Sequence, residues 1–73
     1  MGGGIFMNSW QERVQFELNE LKQRIESLYN FLGTDGFYKL SENHQEMLKT
    51  QLEIMRAYAS ILTMRLKDRT VYG

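Results

Sequence analysis

Helix-breaking residues are confined to so few places in this chain that they largely dictate its architecture. Proline is absent, and glycine occurs only as Gly2, Gly3, Gly4, Gly33, Gly36 and Gly73. A chain with a single internal place to break is expected to form two long helices joined by one turn. Ser9 and Glu12 stand in the Ser-x-x-Glu spacing of a capping box, in which the serine hydroxyl accepts from the amide three residues on. Apolar residues follow at Val14, Leu18, Leu21, Ile25, Leu28 and Leu32. Their spacing alternates four and three, which places them on one face of a helix or in a coiled-coil seam. Gly33 comes next, where a helix end often takes a residue free to adopt positive φ. The first helix is thus expected over 10–32.

Thr34-Asp35-Gly36 has turn chemistry, and Phe37-Tyr38-Lys39-Leu40 reads as a short helical turn packed on the end of the hairpin. Ser41 is a second good N-cap, followed by Glu42, a carboxylate at the positive end of the helix dipole. Leu48, Leu52, Met55, Ala59, Leu62 and Leu66 then repeat the four-three alternation. Arg65, Lys67 and Arg69 collect at the far end, where the dipole favours cations. The expected organisation is one hairpin domain over 9–69, with a turn at 33–41 and a second helix over 42–68. Residues 1–8 are expected to be a flexible leader or an added stretch, with Met7 as a natural start, and 70–73 a frayed tail. A connection this short makes the helices antiparallel, so the fold class is all-α, an antiparallel helical hairpin with a coiled-coil-like seam.

Two helices cannot enclose much. A chain of 73 residues is marginal as a single core, and domains of this size rely on disulfides, metals or self-association. No cysteine is present and histidine occurs once, as His44; neither a disulfide nor a Cys/His metal site is available. Self-association is left, and the sequence supplies a surface for it. Met47, Ile54, Tyr58, Ile61 and Met64 lie beside the first stripe of helix 2, and helix 1 adds Phe16, Tyr29 and Phe31 away from its own seam. In a monomer these form an exposed apolar patch of the kind that marks an interaction surface. Assembly into a homo-oligomeric bundle is the expected outcome. A competing use is docking on a partner protein, with Trp10, Phe37 and Tyr38 as anchors; Trp10 equally suits the plainer role of stapling a helix end to its neighbour.

Gln51, Tyr58 and Arg65 recur at heptad spacing on helix 2 and so point the same way. Antiparallel pairing brings Arg13 and Glu17 of helix 1 towards Tyr58 and Arg65. The set holds two guanidiniums, a phenol, an amide and a carboxylate. Arginine forks grip phosphates, a tyrosine face stacks on a base, and a glutamine reads a base edge. At an oligomer interface such a set suits a small anionic nucleotide. The plainer alternative is that Arg13 and Glu17 are an i,i+4 pair, Tyr58 is packing and Arg65 is a surface ion pair.

Other chemistries lack support. His44 has no serine or carboxylate at a spacing that builds a triad. The carboxylate pairs Glu17/Glu20 and Glu42/Glu46 sit on helix surfaces rather than in a cleft. Neither Gly33-x-x-Gly36 nor the leading glycines carry the Lys-Ser/Thr ending of a phosphate loop. Nine basic residues balance nine acidic ones, without the basic excess of a general nucleic-acid binder. No apolar run approaches the roughly 20 residues that span a bilayer, and the start lacks a signal peptide's basic and apolar regions. The chain is expected to be a non-enzyme without cofactor or metal, and cytoplasmic.

Gln11-Glu12-Arg13-Val14, Glu17-Leu18-x-x-Leu21, Leu28-Tyr29-x-Phe31, Phe37-Tyr38-Lys39-Leu40-Ser41 and the run from Leu48 through Gln51, Met55 and Tyr58 to Arg65 together resemble a family. It is that of small helical accessory proteins of tailed bacteriophages, related to an uncharacterised crAss-like phage protein. The likeness covers Gln11 to Leu66; only the Gly-rich start departs from it. The resemblance implies a phage-encoded accessory protein, a place in the infected bacterial host cell and no catalysis. By analogy with phage counter-defence factors, two roles follow. One is an oligomeric sponge that sequesters a cyclic nucleotide or related immune signal, held by Arg13, Glu17, Gln51, Tyr58 and Arg65. The other is a module that binds and inhibits a host or bacterial defence protein. A third is structural, in phage assembly.

Overall fold

The computed structural model describes residues 9–68. The expectations for 1–8 and 70–73, and the cation at Arg69, lie outside the described residues. Within them the fold is all-helical: α1 is Trp10–Phe31, α2 is Asp35–Tyr38 and α3 is Glu42–Lys67.

Each helix starts on a hydroxyl cap. Ser9 Oγ accepts from Glu12 N at 3.4 Å, Thr34 Oγ1 from Phe37 N at 3.3 Å, and Ser41 Oγ from His44 N at 3.1 Å. All three caps have extended backbone, the conformation that aims a short side chain back at the first turn. Thr34 has a second use: its hydroxyl donates to Phe31 O at 2.7 Å, closing α1 while opening α2. Gln45 fastens the connector to α3 by donating to Leu40 O at 2.9 Å and to Tyr38 O at 3.4 Å.

The end of α1 corrects one expectation. No described glycine has positive φ, so Gly33 does not form a left-handed cap. The last turn tightens instead. Leu32 stays right-handed, with φ −63° and ψ −16°. Gly33 N donates to Asn30 O and Thr34 N to Phe31 O, at 3.1 and 3.0 Å. These i→i−3 bonds satisfy carbonyls that a left-handed cap would otherwise have covered.

The two long helices run in opposite directions. Leu66 lies by Gln11, Glu12 and Gln15, Tyr58 reaches Glu17, and Leu48 and Gln51 share a groove with Leu28 and Phe31. Val14, Leu18 and Leu21 of α1 close on Leu62 of α3, with Trp10, Ile25, Met55, Ala59 and Leu66 packed around them. Every position of the two four-three stripes is buried or half-buried. A second apolar point lies at the hairpin end. There Phe37 is 2% exposed and meets the rings of Phe31 and Tyr38 edge to face, with centroids 6.1 and 5.1 Å away. The molecule measures 53 × 25 × 13 Å, one helix deep in its thinnest direction. That thinness leaves a full face of each helix outside the core.

Candidate functional site

The site grows from heptad arithmetic on two antiparallel helices. On α3, Gln51, Tyr58 and Arg65 form a column just beside the buried stripe. On α1 the facing column is Trp10, Glu17, Arg24 and Phe31. Antiparallel packing sets Tyr58 opposite Glu17 and Gln51 opposite Arg24.

The centre of this arrangement is a hydrogen bond between helices. The Tyr58 hydroxyl donates to the Glu17 carboxylate, bridging residues 41 apart in sequence. That bond holds the Tyr58 hydroxyl above the usual phenol range, since ionising it would place two negative oxygens together. Partial loss of solvent and the nearby Glu17 charge push the same way, and the Arg65 guanidinium pulls down. Arg65 therefore lies close enough to Tyr58 for its charge to be felt, and it is half-buried. Arg13 sits one turn before Glu17, on the same side of α1 and exposed.

Two turns along, a shallow open groove of about 550 Å³ runs between the helices. Gln51, Leu48 and Met55 form one wall, and Gln23, Arg24, Ser27 and Phe31 the other. Gln51 Nε2 lies 3.8 Å from Met55 Sδ, a weak contact that leaves the amide available. The groove offers a guanidinium, two amides, a hydroxyl and an apolar floor, with the Glu20 carboxylate also in its lining; the guanidinium suits a phosphate, the apolar floor a flat ring, and the carboxylate a donor group of the same ligand.

Of the residues expected to bind ligand, Glu17 and Tyr58 are joined directly, with Arg65 beside them; Gln51 lies one heptad away in the groove. Arg24 was missed. The signal was present, because Arg24 stands one heptad from Glu17 and lines the groove with Gln51, whereas antiparallel pairing alone points to Arg13, at the end of α1 that lies nearer Arg65. The expected interface residues Phe16, Met47, Ile54, Tyr58, Ile61 and Met64 are all exposed, from 40% at Tyr58 to 67% at Phe16. Among the docking residues, Phe37 requires correction: it is buried as the keystone of the hairpin end and presents no surface. Trp10 is half-buried against the core cluster, and Tyr38 is exposed.

Residues 8–68 match the family model named Sequestin. The chain belongs to the Sequestin family. An uncharacterised 7.5 kDa protein from the denB–rIIB intergenic region of Enterobacteria phage T4 is 35% identical to it over 60 residues, covering 82% of this chain and 94% of that protein. This Sequestin chain is thus a small phage accessory protein, as the motif resemblance implies. No solved structure matches it at a significant level. Among the described residues, no helix is long and apolar enough to cross a membrane.

Proposed function

We propose that this protein is a non-enzymatic, oligomeric sponge that sequesters a cyclic nucleotide or related nucleotide immune signal in the cytoplasm of an infected bacterial cell. The observation that carries the reading is the column at which the two helices meet: the Tyr58–Glu17 bond beside Arg65 and, two turns along the same column, the groove lined by Arg24 and Gln51. A family name that denotes sequestration supports it. Arg65 and Arg24, with Arg13 at the rim, hold phosphates; Tyr58 stacks on a base; Gln51 reads a base edge. Glu17 accepts from an exocyclic amine, which also explains a carboxylate in an otherwise anion-seeking site. Retention without cleavage requires only that the bound state be deep.

Assembly is part of this reading. The groove is open to solvent on one side, and a ligand held for long must lose most of its surface to the protein. A second subunit over the exposed face of α3 closes the groove through a coiled-coil-like packing.

A thermal-shift screen against cyclic di- and trinucleotides, cyclic ADP-ribose isomers and linear nucleotides tests the reading. A ligand at ~100 times its Kd adds about 2.7 kcal/mol, which moves the melting point of so small a domain by ten degrees or more. Arg24→Ala and Tyr58→Ala are expected to abolish a selective shift while leaving the oligomer's mass unchanged. No shift across the panel, with assembly intact, overturns the sponge and favours inhibition of a protein partner.

A further inference from the structure

We infer that a second copy of this chain packs antiparallel against α3 along a seam separate from the hairpin core, with its two-fold axis between Met55 and Arg56. This packing completes the nucleotide site with residues from both copies; that second half rests on the sponge reading, while the packing itself does not.

The seam is written in the outer face of α3. Met47, Thr50, Ile54, Ala57, Ile61 and Met64 follow each other at spacings of three and four, the repeat of a helix–helix seam. All six are exposed in the single chain. Between Met47 and Met64 the only charged residues are Lys49, Glu53 and Arg56; the helical period turns Lys49 and Arg56 away from this face and sets Glu53 on its rim, in line with Glu46. Depletion of charge distinguishes the centre of an interface from ordinary surface. The surface also has the right relief. Met47, Thr50, Gln51 and Ile54 surround a shallow apolar depression of about 500 Å³. Their i, i+3, i+4, i+7 spacing is that of a hole receiving one knob from a facing helix.

Size pairing fixes direction and register. In an antiparallel pair centred between Met55 and Arg56, Met47 meets the partner's Met64, Thr50 meets the partner's Ile61, and Ile54 meets the partner's Ala57. Each bulky branched residue then faces a small one, so the helices approach closely without a void. The partner's Ile61 is the knob for the depression just described. A parallel pair stacks Ile54 on Ile54 and Ala57 on Ala57, alternating crowding with gaps. The rims agree with the antiparallel choice. Glu46 on one rim comes beside the partner's Lys67, twice by symmetry. On the other rim Gln51 comes beside the partner's Tyr58, again twice. The groove that holds Arg24 and Gln51 in one chain is thereby walled by the other chain's tyrosine.

Cysteine pairing reads this geometry, because the natural chain contains no cysteine. Met47→Cys and Met64→Cys proteins, mixed and oxidised under mild conditions, are expected to form a disulfide between unlike variants and little between like ones. Like-with-like bands that dominate, or no cross-link in the mixture, overturn the inference. Sedimentation equilibrium of the unaltered chain is expected to give an even multiple of 8.7 kDa, and Ile54→Glu to return the single-chain mass with its helicity retained. A single-chain mass for the unaltered protein at tens of micromolar overturns it as well. If Ile54→Glu unfolds, the cross-linking pattern still decides. The shared site has its own readout. Gln51→Ala and Tyr58→Ala proteins each lose nucleotide binding, yet their mixture regains about a quarter of the wild-type sites, because half the dimers are mixed and each mixed dimer keeps one intact site. No recovery on mixing overturns the shared site. A panel of nucleotides that never binds the unaltered dimer instead defeats the sponge reading and leaves the packing standing.

Discussion

Leu62 is the residue on which the hairpin closes, and Leu62→Ala measures how much of the stability lies there. Its side chain is 0% exposed and touches a cluster made of Val14, Leu18 and Leu21 from the other helix. Truncating a fully buried leucine costs about 2–5 kcal/mol, part for lost burial and part for the cavity left behind. Sixty described residues at ~0.05–0.15 kcal/mol each carry only about 3–9 kcal/mol of stability. A loss near 3 kcal/mol therefore removes a third of the stability or all of it. At ~4–8 °C per kcal/mol for a domain of this size, the melting point falls by about 12–24 °C. The comparison is Ile54→Ala, at a residue 64% exposed in the single chain. In an uncovered chain about a third of its burial energy is at stake there, under ~1 kcal/mol, and the second copy inferred above adds to that loss. Far-ultraviolet circular dichroism melts at two protein concentrations give both numbers and separate folding from assembly, since only an oligomer's melting point depends on concentration. A Leu62→Ala protein melting within about 4 °C of its parent refutes the packing argument for the core. A drop for Ile54→Ala as large as that for Leu62→Ala shows a face that is covered.

Gly33→Ala is expected to stabilise by about 0.4–1 kcal/mol, because Gly33 has no positive φ and an added Cβ meets only Asn30 O, at 3.6 Å; a lower melting point counts against the cap geometry. The raised pKa of Tyr58 predicts an alkaline limit. A group whose folded pKa lies above its unfolded value stabilises fully below the unfolded pKa, and that contribution is lost as pH rises through the folded one. Stability is therefore expected to fall above about pH 10 and Tyr58→Phe to flatten the fall; unchanged alkaline denaturation in Tyr58→Phe shows the bond to Glu17 has no weight in solution. Ser41→Ala removes the hydroxyl that receives His44 N and is expected to cost about 1 kcal/mol, read as a lower denaturant midpoint with unchanged slope.

The buried stripes were legible because one physical cause sets both period and burial: a helix with an apolar face has only one way to hide it against a single neighbour. The end of α1 was less legible. A glycine after a helix signals a left-handed cap, but the Thr34 hydroxyl closes the helix by donating to Phe31 O, a local bond that competes with the glycine cap and that the glycine rule does not weigh. Phe37 was misplaced for a related reason. An aromatic in a connector is as suited to docking as to burial, and the edge-on contacts with Phe31 and Tyr38 that decide the matter exist only once the turn is folded. Arg24 was less legible because antiparallel pairing alone favours the cation nearest Tyr58 and Arg65, which is Arg13. The seven-residue step from Glu17 keeps Arg24 on the shared side, and the groove it lines with Gln51 appears only once the helices are packed.

A protein of two helices can build a binding site in only a few ways. Its core is used up in holding the pair together, so an enclosed pocket inside one copy would take the burial that keeps it folded. What remains is the margin where the helices part, and there the polar column of Gln51, Tyr58 and Arg65 lies between two apolar strips: the one facing α1 and the one facing outward. Were that column merely solvated surface, the strip beyond it would be expected to be charged, as it is on the side of Lys49, Glu53 and Arg56. Instead the outer strip is apolar and charge-free along its length, so the polar residues are flanked on both sides by surface that avoids water. Within that column Tyr58 is bonded across to Glu17, and Gln51 lies exposed in the groove. The copy that covers the outer strip is also what turns an open groove into an enclosed one, which ties assembly and ligand retention to the same seam.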